Sequence, residues 1–103
     1  MSSSVSQKLN ELGKLCEKFS VKQLDIFGSA AEEKGMLPDT SDIDFLVEFL
    51  PLGEDQYADT YFGLLFALEE LFNRKIDLVM VSAIKNPYFR ESVERSRKSL
   101  YAA

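Results

Sequence analysis

Three short runs of strand character, Val21 to Phe27, Asp42 to Phe49 and Lys75 to Val81, alternate along the chain with segments whose apolar residues recur at three and four residue spacing. This alternation confines the chain to an α/β arrangement, because helices with one apolar face must cover a sheet that cannot bury its own faces. Val5, Leu9, Leu12, Leu15, Cys16 and Phe19 predict an amphipathic helix over 4–19, behind a serine-rich start able to cap it. The first strand ends in Gly28-Ser29, a short helix is expected over Ala30 to Lys34, and the composition of residues 35–41 reads as loop. Tyr57, Tyr61, Leu64, Leu65, Leu68, Leu71 and Phe72 give a long helix with a broad apolar face. The nearly continuous apolar run from Lys75 to Val81 reads as a strand buried on both sides. After Asn86-Pro87 a charged helix is expected from Tyr88 to Lys98, and the chain ends soon after Leu100-Tyr101. Strand direction is not readable from periodicity.

At 103 residues, with no repeat or linker, the chain has the size of a single domain spanning 1–103. A net charge of −5 makes the surface repel phosphate backbones, so long nucleic acids are poor partners. Cys16 is the lone cysteine, and its place on the first helix's apolar stripe reads as packing. With no histidine anywhere, Cys/His zinc sites and histidine-based nucleophilic catalysis are excluded. The start lacks a basic, apolar leader and no run approaches the ~20 apolar residues of a membrane span, so a soluble, cytoplasmic protein is expected.

Chemistry concentrates in three aspartates. Asp42 and Asp44 lie one residue apart at a strand start, where the two-residue period puts both carboxylates on one face. Carboxylates ~4 Å apart repel by roughly 4 kcal/mol at an effective dielectric near 20, so such a pair favours a divalent ion, a shared proton or a basic neighbour. Asp77, between Ile76 and Leu78, needs compensation of the same kind if its strand is buried. Should the second and third strands be neighbours, the three acids form an all-oxygen set of the type Mg²⁺ prefers. Gly28-Ser29, between strand and helix, suits close approach of a phosphate to backbone N–H groups, although a plain turn capped by Ser29 uses the same pair. Tyr57, Tyr61 and the phenylalanines read as core rather than as base-stacking platforms.

Taken together, Ile26-Phe27-Gly28-Ser29, Ser41-Asp42-Ile43-Asp44-Phe45-Leu46-Val47 and Lys75-Ile76-Asp77-Leu78-Val79 resemble the DNA polymerase β-like nucleotidyltransferases, and within them the minimal nucleotidyltransferases (MNT). The resemblance covers about residues 8–101, including the ending from Asn86-Pro87 to Leu100-Tyr101. It implies a small mixed central sheet flanked by helices, with Gly28 and Ser29 holding NTP phosphates. It also implies Asp42, Asp44 and Asp77 as catalytic residues and ligands of one or two Mg²⁺ ions, with Asp77 assisting deprotonation of the attacking hydroxyl. The reaction implied is transfer of a nucleotide, AMP from ATP, to a hydroxyl on a partner protein. In the MNT group that partner is a HEPN-domain protein, often a toxin modified on tyrosine, for which the transferase is the antitoxin.

The sequence departs from the family pattern at two points. The stretch from Ala30 to Ser41 is two residues longer than usual, and Ala30-Ala31-Glu32-Glu33 stands where an arginine commonly follows the glycine-serine pair. Compensating cations could come from Lys34, Lys85, Arg90, Arg95, Arg97 or Lys98. These departures support an alternative reading, a weakly active or inactive module that neutralises its partner by contact. A transferase acting on RNA or an antibiotic would use the same triad, but the acidic charge and short chain disfavour the acceptor groove it needs.

Overall fold

The computed structural model describes residues 3–28, 31 and 42–103. The expected helix over 4–19 is two pieces, α1 (Ser3–Ser6) and α2 (Leu9–Lys18), separated by a turn in which the Lys8 N–H donates to the Val5 carbonyl. Lys8 stands at the N-cap of α2 without a side-chain hydrogen bond, and the residues ahead of α1, where the serine cap was expected, lie outside the described residues. α2 turns into β1 (Val21–Phe27) through Ser20, which adopts a left-handed φ of 57°.

β2 (Ile43–Phe49) leads to α3 (Tyr57–Phe72), which closes on Asn73 in the left-handed conformation and hands over to β3 (Ile76–Met80). A 3₁₀ turn (Val81–Ala83) then precedes α4 (Pro87–Ser96). The expected continuation of that helix to Lys98 is corrected: it stops at Ser96, Arg97 is extended (φ −67°, ψ 140°), and β4 (Lys98–Ala102) follows. The short helix expected at Ala30 to Lys34 and the loop over 35–41 lie outside the described residues, except for Ala31, which is helical and buried. Among the described residues no helix is long and apolar enough to cross a membrane.

The strands form one mixed sheet in the order β3-β2-β1-β4. β1 runs antiparallel to β2 and to β4, whereas β2 and β3 are parallel, as a crossover through α3 permits. On one face Leu24, Ile26, Ile43, Phe45, Val47, Ile76 and Leu78 pack against Leu12 and Cys16 of α2 and Leu64, Leu68 and Phe72 of α3. The other face carries a smaller cluster in which Phe27 and Leu46 meet Ile84, just after the 3₁₀ turn, and Val93 of α4.

β3 is an edge strand, and Asp77 on it is exposed, which corrects the expectation of a strand buried on both sides. The apolar run reflects one buried face plus partial cover of Val79 and Met80. Several phenylalanines expected in the core are also outside it: Phe62 is 51% exposed, Phe66 62% and Phe89 41%. Helical spacing gave them periodicity, but α3 and α4 each have more apolar residues than one packed face holds.

Candidate active site

The two-residue period fixes where the acids point. Leu46 lies in the α4-side cluster, so Asp44, two residues earlier on β2, shares that face; Val79 places Asp77 there in the same way. Across the sheet, Phe27, Asp44 and Asp77 are direct neighbours, Phe27 opposing Asp44 and Asp44 opposing Asp77. Asp42 is exposed just ahead of β2, and Asp44 is half-buried between its neighbours.

Asp44 lies within electrostatic reach of both of the other carboxylates. Burial is the main influence raising the Asp44 pKa above the usual carboxylate range, followed by the charges of Asp77 and then Asp42. A group in this position takes up either a proton or a cation, and three hard oxygen donors select a hard cation. Among the described residues no group of three acidic side chains stands close enough to hold a metal ion as it is. Asp44 and Asp77, in register, with Asp42 just ahead of them, are nevertheless oxygen donors of the kind that a hard cation such as Mg²⁺ takes.

Gly28 sits directly beneath Asp44. Its φ is +72°, and a Cβ added there would stand 2.7 Å from Asp44 Oδ2, so both backbone and space require glycine. Its own N–H donates to Ser96 Oγ at 3.0 Å, and the Ser96 hydroxyl donates in turn to the Ser92 carbonyl at 3.4 Å. Gly28 thus leaves room for the acid and ties the turn to α4. Ser29, the other nucleotide-binding candidate, lies outside the described residues.

Two of the candidate cations are committed elsewhere. The Arg97 Nε binds the carboxylate of Asp25, 2.8 Å away on β1, and its guanidinium also donates to Glu94. Asp25 is buried, with the Gln23 amide donating to its oxygens at 3.1 and 3.3 Å. The Arg90 guanidinium donates to the Ile84 carbonyl at 3.0 Å. Lys34 lies outside the described residues.

On the other flank of the acids, the Tyr61 hydroxyl donates to the Leu78 carbonyl at 2.6 Å. Burial first, and the Asp77 charge second, push the Tyr61 pKa up, so the phenol stays a donor. The sequence did not single out the Asp25–Arg97 pair or the Phe27–Phe89 contact. A lone acid within Val21 to Phe27 was the available signal for the first; nothing local announces the second.

A model of the family described as "Nucleotidyltransferase domain" matches residues 11–100. A protein of Methanocaldococcus jannaschii named "Putative protein adenylyltransferase" is 44% identical over 80 residues, 78% of this chain and 76% of that protein. A solved structure described as a "putative minimal nucleotidyltransferase" superposes with a TM-score of 0.72 at 27% identity, over 92% of this chain and 91% of that one. An MNT antitoxin in complex with a tri-AMPylated HEPN toxin of Shewanella oneidensis shares the fold, with a TM-score of 0.58 at 20% identity over 95% of this chain and 72% of the other.

Proposed function

Because the chain belongs to the nucleotidyltransferase domain family, we propose that it moves AMP from ATP, with Mg²⁺, onto a hydroxyl of a partner protein. The observation that carries this reading is the in-register placement of Asp44 and Asp77, with Asp42 in electrostatic reach, on the open end of the sheet face above Gly28. Such an array repels bare phosphate and holds cations, through which a triphosphate rather than a neutral ligand can be bound.

Asp42, Asp44 and Asp77 hold Mg²⁺, which when bound neutralises triphosphate charge and lowers the pKa of the attacking hydroxyl. Asp77, exposed at the sheet edge, assists removal of the proton from an arriving acceptor hydroxyl. That oxygen attacks the α-phosphorus, and the bond to pyrophosphate breaks. Gly28 leaves room for the Asp44 carboxylate, and Gly28 and Ser29 are the residues assigned to the triphosphate.

The acceptor is supplied by another chain, and by likeness to the MNT complexes that partner is a HEPN-domain toxin for which this cytoplasmic chain serves as antitoxin. The test is Mg²⁺-dependent labelling of such a partner with α-labelled ATP. Labelling should vanish in Asp42→Asn and Asp44→Asn; undiminished labelling in those variants would refute the assignment.

A further inference from the structure

The first turn of α4 presents two aromatic side chains to solvent, Tyr88 at 81% exposure and Phe89 at 41%. Phe89 is nevertheless held in place. Its ring meets that of Phe27 edge to face, with centroids 6.1 Å apart and planes at 79°. The N–H groups of Tyr88 and Phe89 donate to Asn86 Oδ1 at 2.9 and 3.3 Å, and Pro87 opens the helix with its fixed φ. One residue on, Arg90 ties the same turn back to the Ile84 carbonyl.

The ring behind Phe89 belongs to the site. Phe27 directly opposes Asp44 and precedes Gly28 in the chain. Opposed side chains stand ~4.5–5.5 Å apart at Cβ, so the Phe89 ring lies on the order of 10 Å from the acidic cluster. A rigid aromatic ring, half in water and within nucleotide length of a phosphate-handling site, is a surface for a flat apolar partner. The part of an NTP that fits this description is its base.

Resting on the nucleotide-transfer reading above, we propose that Phe89 is the stacking platform for the base of the bound nucleotide, with Phe27 bracing it from behind. Stacking uses the π-face that every base has, so the platform supplies affinity without selecting adenine over other bases. Selection among bases then falls to other groups. Phe89 positions the nucleotide and takes no part in bond making.

The test compares MgATP with Mg-tripolyphosphate, which has the phosphates but no base, by calorimetry on wild type, Phe89→Leu and Phe89→Trp. Leucine keeps apolar packing on Phe27 and loses the ring face. Phe89→Leu should bind ATP roughly tenfold or more weakly, Phe89→Trp should bind it at least as well as wild type, and tripolyphosphate should bind all three alike. A 2-aminopurine nucleoside triphosphate should be quenched on binding wild type and Phe89→Trp but not Phe89→Leu. Unchanged ATP affinity in Phe89→Leu overturns the platform, as does a parallel loss of tripolyphosphate, which would mean that the site itself had shifted. Failure of wild type to bind either ligand removes the nucleotide reading and the platform with it.

Discussion

Replacing Gly28 by alanine tests the backbone and the acidic site at once. A non-glycine residue at φ +72° costs ~1–2 kcal/mol, because Cβ crowds its own backbone in the left-handed region. The new methyl would also stand 2.7 Å from Asp44 Oδ2, forcing the carboxylate off its rotamer at a further ~0.5–1.5 kcal/mol. The sum, ~2–3 kcal/mol, is a large part of a small domain's stability but leaves it folded. With a urea m-value near ~1.5 kcal/mol/M, the unfolding midpoint should fall by roughly 1.5 M. MgATP affinity should fall at least tenfold, because the displaced group is the central acid of the three. Gly13→Ala is the control: nothing lies within 4 Å of its would-be Cβ in the middle of α2, so it should stabilise the protein by ~0.5–1 kcal/mol and leave binding alone. An unchanged midpoint in Gly28→Ala, or intact MgATP binding despite a lowered midpoint, would refute the reasoning.

Other consequences are as direct. Arg97→Ala leaves the Asp25 carboxylate buried with only the Gln23 amide, and since Arg97 is itself partly exposed the loss should be ~2–3 kcal/mol in urea unfolding; a loss under ~1 kcal/mol would show the pair to be solvated. Asp44→Asn should raise the melting temperature of the metal-free protein at neutral pH, by a few tenths to about 1 kcal/mol of stability. Because folding raises the Asp44 pKa, the stability linked to its proton is present at low pH and lost as pH rises through the folded value, so the advantage of asparagine should shrink on acidification. Burial pushes the Cys16 thiol from 9.0 up to about 12, so a disulfide reagent at pH 8 should modify it only as fast as the chain opens, and stability should decline between pH 9 and 12 as the unfolded chain's thiol ionises first. Rapid modification of the native protein would place Cys16 at the surface.

What could be read from the sequence was whatever is carried by period and by side-chain type. The alternation of strand and helix located β1, β2, β3 and α3 within a residue or so, and the Asp-x-Asp spacing marked Asp42 and Asp44 as a candidate pair. What escaped depends on distant pairing. β4 is five residues long and becomes a strand because β1 offers it an edge while Arg97 reaches Asp25, neither of which leaves a local trace. Asp77 looked buried because its neighbours are apolar, yet its strand lies at the sheet edge. Phe62, Phe66 and Phe89 share helical spacing with core residues, and only the packing of α3 and α4 shows which ring faces inward. At the site, the sequence named the acids and the glycine but not the tie between the glycine's N–H and Ser96, 68 residues away.

The hydroxyl of Tyr61 on the Leu78 carbonyl bears on how this chain behaves in crowded solution. β3 ends the sheet, and an edge strand of apolar residues is a template on which a neighbour's strand can add. By occupying a carbonyl of that edge, the phenol interrupts the ladder an incoming strand would need. A single oxygen atom beside Asp77 thus helps keep separate molecules from joining into one continuous sheet.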